Sequence, residues 1–166
     1  MIIRPFRRAD ASAGFTCGES ALDVWFAKRA WSHERDGIAR VYVLEDPGAT
    51  APIVGVYSLS SKSVETDQVA PVWSGSLPRF PLPVTYVGCF AVAVAHQGRG
   101  HGRTLMGDAL ARALLASIHV GSVGVFLHAK TPRSTAFYAT LGFVALPPLV
   151  DRQQPMFLAM ETLRGA

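Results

Sequence analysis

The stretch Val87–Leu115, "VGCFAVAVAHQGRGHGRTLMGDALARALL", starts as a run of small and β-branched apolar residues. It breaks into Gln97-Gly98-Arg99-Gly100-His101-Gly102, then resumes with apolar residues at helical spacing through Leu105, Met106, Ala109, Leu110, Ala113 and Leu114. A glycine at every second position weakens strand and helix alike, by roughly 0.5–1 kcal/mol each. A strand, a glycine turn and a helix N-terminus in succession present backbone N–H groups and the positive end of a helix dipole to an anion. The glycines do not form a dinucleotide fingerprint, which requires Gly-x-Gly-x-x-Gly followed about 20 positions on by an acid. No acid lies between Asp108 and Asp151, and the Gly-Lys-Ser/Thr of a P-loop is absent. What remains is a phosphate-binding turn, with Arg99 and Arg103 adding charge. A tight strand-to-helix turn without a ligand is the plain alternative.

Working outward, Ile2–Phe6 reads as a first strand, and "CGESALDVWFAKRAWSHERDG" as a helix with Ser20 as N-cap and Asp36-Gly37 as its stop. "IARVYVLED" and "APIVGVYSLSSKSV" form a hairpin across "PGAT". Residues 65–83, with four prolines and a glycine, read as a long irregular loop. Val84–Val94 is a buried strand, Gly102–His119 a helix and "SVGVFLHA" a strand. "TPRSTAFYATLG" is a short helix with Pro132 in its first turn and Gly142 past its end. "FVAL" and "PMFLAMETL" are closing strands. The order βαββ, loop, βαβαββ predicts one α/β domain over residues 1–166, since no repeat or low-complexity segment divides the chain.

The chain has 166 residues, 49% of them hydrophobic and 17% charged. That composition excludes disorder and allows a full core. The charged start "MIIRPFRRAD" is no signal peptide, and no apolar run nears the roughly 20 residues of a spanning helix. Cys17 and Cys89 imply reduced thiols, hence a cytoplasmic protein without a membrane anchor. Between Gln68 and Val150 the only carboxylate is Asp108, against Arg79, Arg99, Arg103, Arg112, Lys130 and Arg133. A cationic half of this kind suits a polyanionic ligand, a nucleic acid or both; an ordinary basic surface is the alternative. The histidines and cysteines show no metal-ligand spacing.

Gln97-x-x-Gly100-x-Gly102, following Val92, resembles the acetyl-CoA signature of the GCN5-related N-acetyltransferases (GNAT). "STAFYATLGF" resembles that family's later helix. The resemblance implies a mixed, mostly antiparallel sheet of six to seven strands flanked by helices, its central strands splayed to admit the pantetheine arm. It implies acetyl-CoA as cosubstrate, with no metal, held by Phe90, Ala91, Val92, Gln97, Gly98, Arg99, Gly100, His101, Gly102, Arg103, Ser134 and Phe137. "FTCGESALDVWFAKRA", "GVYSLSSKSV" and "HAKTPRSTAFYATLGF" are similar to the toxin branch of the family. That branch implies acetylation of the α-amine of aminoacyl-tRNA, a homodimer and a ribbon-helix-helix antitoxin. The chain departs from the family at Cys89 and Ala93, where an arginine and an acid are frequent, and at His101, where an aliphatic residue is.

Acetyl transfer needs a neutral amine, a polarised carbonyl, a proton donor for the leaving thiolate and close alignment. A backbone N–H near Val92 is the expected oxyanion donor. An α-amine, with a pKa of about 8, is substantially neutral at pH 7 and needs little help from a base, whereas a lysine at about 10.4 needs much. The shortage of carboxylates therefore favours an α-amine; a water chain to Glu45 or Glu65 stays open. Tyr138 is the expected acid, its alternative being a core aromatic beside Phe137. Lys130 and Arg133 guide coenzyme phosphate or RNA, with surface solvation as the alternative, and His96 and His128 read as ordinary polar residues. The expectation is an acetyl-CoA-dependent toxin. The rivals are a non-toxic acetyltransferase acting on a small-molecule or protein amine, and a catalytically idle binding module.

Overall fold

The computed structural model describes residues 1–165 and contains a seven-stranded sheet in the order β1-β2-β3-β4-β5-β7-β6. The strands are β1 (Ile2–Pro5), β2 (Arg40–Glu45), β3 (Ile53–Val64), β4 (Leu82–Val92), β5 (Gly124–Ala129), β6 (Val144–Ala145) and β7 (Gln154–Ala159). The helices are α1 (Ser20–Lys28), α2 (Ala30–Arg35), α3 (Thr66–Val69), α4 (His101–Ala116), α5 (Pro132–Ala139) and α6 (Met160–Arg164). The chain divides into two compact units: Met1–Ser60 with Val87–Ala111, and Ser61–Tyr86 with the chain from Arg112 onward.

In the first unit β1 runs antiparallel to β2, with Ile2 opposite Glu45, and β2 antiparallel to β3, with Arg40 opposite Leu59. The hairpin is where alternating apolar residues and "PGAT" put it. Phe6, Phe26, Ala30, Val41, Val43, Ile53, Val56 and Ala91 form its core, and Phe6 meets Phe26 edge-on at 5.3 Å. The buried Arg4 guanidinium donates to Asp10 at 2.8 and 2.9 Å and to both carboxylate oxygens of Glu45. One feature of the sheet has no local sequence signal: a β-carbon on Gly55 would lie 2.5 Å from Leu105 Cδ1 and 3.0 Å from the Ala91 carbonyl. Only glycine lets α4 seat that closely on β3.

The expected helix over 20–36 is two helices. Arg29 leaves the helical region at φ −124°, ψ −25°, ending α1 and starting α2, and the N-cap of α1 is Glu19 in place of Ser20. The apolar spacing through Leu22, Trp25, Phe26 and Ala30 continues across this break, so periodicity could not mark it. Asp23 ties down the entry to α1, accepting from Thr16 Oγ1 at 2.7 Å and Cys17 N at 2.8 Å.

In the second unit β5 runs antiparallel to β7 from Gly124 opposite Ala159 to Ala129 opposite Gln154, and β6 pairs with β7. The beginnings of β4 and β5 are joined: Val123 N donates to Pro83 O at 2.9 Å and Thr85 N to Ser122 Oγ at 3.1 Å. Val64, Val69, Leu82, Val84, Phe126, Leu146 and Phe157 form this unit's core. Residues 65–83 are not wholly irregular, because α3 and a 3-10 turn at Ala70–Val72 place Val69 in that core. "METL" belongs to α6 and does not extend β7; Met160 N donates back to Val123 O at 2.9 Å and turns the chain. Helix α4 stops at Ala116, three residues before the expected end, and α5 at Ala139, where Gly142 at φ +93° turns the chain toward β6.

Candidate active site

The glycine turn lies in the first unit. β4 ends at Val92, Ala93 N donates to Val54 O at 2.8 Å, and a 3-10 turn at Val94–His96 leads into the loop. Gly98 and Gly100 have φ of +74° and +86°, a region that costs other L residues roughly 1–2 kcal/mol. A β-carbon on either would meet no atom within 4 Å, so these glycines are required for their dihedral angles and their surroundings are open. Among the described residues, the amides of Gly98, Arg99, Gly100, His101 and Gly102 are bonded to no acceptor. Five successive donors at the start of a 16-residue helix make a cradle for a doubly charged pyrophosphate. Arg99 and Arg103 are exposed beside it. The His101 and His96 rings lie 5.9 Å apart, and His96 Nδ1 is buried with no hydrogen-bond partner.

The Gln97 side chain is tied into the protein. Its side-chain Nε2 donates to Val92 O and to Cys17 O, both at 3.0 Å, and Val94 N donates to Thr16 O at 3.0 Å. The Gln97 amide thus clamps the loop to the end of β4 and to the segment before α1. Burial pushes the Cys17 thiol up to about 11, so at neutral pH it is protonated. Ala91 is buried, with Phe90 and Val92 half-buried on either side of it in β4.

The second unit carries Tyr138 on α5. Thr131 caps this helix reciprocally with Ser134: Ser134 N donates to Thr131 Oγ1 at 3.1 Å and Thr131 N to Ser134 Oγ at 3.0 Å. The hydroxyl expected to touch coenzyme is therefore engaged in aligning the helix, and Tyr138 follows one turn later. The Tyr138 ring is 7% exposed, 5.2 Å from Phe137 and 5.9 Å from Phe143. Burial holds its phenol above the ordinary tyrosine range, so the group is protonated at neutral pH. Lys130, Arg133 and Arg79 are exposed.

Of the two carboxylates left open as bases, that of Glu45 is engaged. Glu45 receives Arg4, whose hydrogen bonds hold its carboxyl below the usual range. Asp108 accepts from the hydroxyl of the fully buried Tyr57. Glu65 sits at the N-cap of α3, its amide donating to Gln68 Oε1 at 2.9 Å. Spacing could not reveal the tasks of Gln97, Ser134 and Asp108. Among the described residues no group of His, Cys, Asp and Glu is disposed to hold a metal ion.

The family model of the acetyltransferase (GNAT) domain matches residues 37–145, well over half of the chain. The chain belongs to the GNAT acetyltransferase family. This acetyltransferase is 32% identical over 84% of its length to the "tRNA-acetylating toxin" of Mycobacterium tuberculosis, covering 81% of that protein. It is 30% identical over 92% of its length to the "probable toxin TacT" of Sinorhizobium fredii, covering 87% of that protein. Among solved structures it is similar to AtaT in complex with acetyl-methionyl-tRNAfMet, at 25% identity and a TM-score of 0.84, with 98% of this chain and 96% of that one covered. AtaT is also solved, as a tyrosine-to-phenylalanine mutant, with the C-terminus of the antitoxin AtaR and acetyl-CoA; there the identity is 25%, the TM-score 0.76 and the coverage 98% and 95%. No helix of the described residues is long and apolar enough to cross a membrane.

Proposed function

We propose that this acetyltransferase moves the acetyl group of acetyl-CoA to the α-amine of an aminoacyl-tRNA, and that it is a toxin that blocks translation. The observation that carries the coenzyme assignment is the row of five open amides at the N-terminus of α4, two of them on glycines held in the left-handed region. Acetyl-CoA supplies an activated acetyl group and a thiolate leaving group. Gly98–Gly102 hold its pyrophosphate through backbone N–H groups, and Gln97 keeps the loop in place. Tyr138 gives its phenolic proton to the departing sulfur as the amine nitrogen bonds to the acetyl carbon, the carbon–sulfur bond breaks and the amine loses its own proton to solvent, from which the phenolate is then reprotonated. With Glu45 and Asp108 both engaged, an amine already largely neutral at pH 7 fits this chemistry better than lysine. The relative named for tRNA acetylation, and AtaT bound to an acetylated aminoacyl-tRNA, support the substrate.

On this reading the two compact units form one catalytic domain and the enzyme works in the cytoplasm, where charged tRNA is found. It pairs with a second copy of itself and is silenced by an antitoxin of the ribbon-helix-helix kind, as AtaR supports for antitoxin control in general. The test incubates purified protein with acetyl-CoA and each aminoacyl-tRNA in turn. The expected result is N-acetylation of charged but not uncharged tRNA, with growth arrest on expression. Acetylation confined to polyamines or protein amines, with normal growth, would establish the non-toxic enzyme instead.

A further inference from the structure

The segment before α1 meets the glycine loop through one peptide unit whose two ends are both taken. At its nitrogen end, Cys17 N donates to Asp23 Oδ1 at 2.8 Å. At its carbonyl end, Thr16 O accepts from Val94 N at 3.0 Å. Because a peptide is planar, holding the N–H in one direction aims the carbonyl in the opposite one. The next carbonyl, Cys17 O, accepts from Gln97 Nε2 at 3.0 Å. Asp23 has a second grip on the same segment, since its Oδ2 accepts from Thr16 Oγ1 at 2.7 Å. The two stretches run in contact: a β-carbon on Gly18, at φ +85°, would lie 3.4 Å from Val94 Cγ2. On the α1 side the Phe15 ring lies 4.6 Å from that of Phe26.

Asp23 stands in the first turn of α1, where a carboxylate ordinarily serves its own helix. Here both of its oxygens reach back to residues 16 and 17. Partial burial pushes its carboxyl up, but the bonds from Cys17 N and Thr16 outweigh this and hold it below the usual carboxylate range. It is therefore ionised at neutral pH. An ionised acceptor on the N–H polarises the peptide and strengthens its carbonyl as the acceptor for Val94 N. Val94 opens the 3-10 turn that delivers Gln97, and Gln97 N donates to Val94 O at 3.3 Å. No atom lies within 4 Å of the β position of Gly98 or Gly100, so the direction of the loop depends on what holds its start.

We infer that Asp23 is a positioning residue for the coenzyme, setting through the Thr16–Cys17 peptide the direction in which the glycine loop presents its amides to the pyrophosphate. The inference rests on the reading of that loop as the acetyl-CoA site, and adds to it a residue that acts only through protein groups. The experiment measures acetyl-CoA affinity by calorimetry on the full-length protein, with the melting temperature beside it. By charge alone, removing a carboxylate leaves an anion bound as well or better; a positioning role has the opposite sign. Asp23→Ala should weaken acetyl-CoA binding by roughly tenfold, the order of one hydrogen bond to a charged group. Asp23→Asn, which still accepts from Cys17 N, should regain most of that loss. Asp23→Ala combined with Gln97→Ala should bind little more weakly than the weaker single variant, because both release the same loop, whereas independent effects multiply. Should Asp23→Ala melt below the assay temperature, Thr16→Val replaces it at an exposed position, with an expected loss of about threefold. A residue that only steadies α1 would lower the melting temperature and leave the affinity of the folded protein unchanged. That result, an asparagine no better than alanine, or losses that multiply would overturn the role. Wild type judges the loop separately: failure of wild type to bind acetyl-CoA removes the coenzyme assignment, and tight wild-type binding with unaffected variants removes the role of Asp23 alone.

Discussion

At Tyr138 the hydroxyl and the ring can be judged separately. The ring is held by Phe137 and Phe143, contacts that phenylalanine would keep. If the phenol protonates the leaving sulfur, Tyr138→Phe should lower turnover by about 10²–10⁴-fold while acetyl-CoA affinity and melting temperature hardly move. A mutant that melts several degrees lower with near-normal turnover per folded molecule would return Tyr138 to the core. The glycines of the loop allow a similar separation. Gly100, at φ +86°, takes a side chain only with backbone strain of roughly 1–2 kcal/mol, so Gly100→Glu mixes strain with charge. Gly102 stands inside α4 without that constraint. Gly102→Glu should abolish acetyl-CoA binding, measured by calorimetry, because its carboxylate repels the pyrophosphate. Unchanged affinity in that variant would remove the loop assignment.

Among the elements, β5 offers a pH test. Burial first, and Lys62 second, pull the His128 imidazole below its ordinary value against the opposing pull of Asp151. The unfolded chain therefore binds this proton more readily than the folded one. The contribution is full above the unfolded value of about 6.5 and is lost as pH falls below it, levelling once the native ring is also protonated. Chemical denaturation from pH 7.5 to 5 should show this decline in wild type and a flatter profile in His128→Gln; parallel profiles would assign the decline to other groups. Elements differed in how far the sequence revealed them. The β2–β3 hairpin, β4 and the body of α4 were legible because alternation, β-branching and helical spacing are local. The break at Arg29, the short α3 and the turn into α6 were not, because tertiary partners such as the core around Val69 and the Val123 carbonyl decide them. The candidate site divides in the same way. Its glycines and tyrosine stand in a recognisable order, but Gln97 and Ser134 turn out to hold backbone and helix in place. Gln97 does so across 80 positions of sequence, beyond the reach of any spacing rule.

For the whole molecule, charge is the property that bears on substrate class. The net charge is +4, and the stretch from Gln68 to Val150 holds one carboxylate, which Tyr57 already engages. Arg79, Arg99, Lys130 and Arg133 stand exposed in that stretch. Binding of an RNA substrate should therefore weaken with salt, each neutralised phosphate adding about −0.7 to the slope of log K against log salt on a single strand. A filter-binding series in potassium chloride measures it, and a flat response would indicate a small amine. The clamp on the glycine loop has a bearing on where this enzyme can be cut. The match to the family's domain model begins at residue 37, yet the carbonyls that steady the loop belong to Thr16 and Cys17. A fragment trimmed to the recognisable region would keep every letter of the signature and lose the anchorage on which the signature depends. The domain model and the mechanical unit have different boundaries in this chain, and a motif transplanted without its distant anchor would arrive intact in spelling and loose in space.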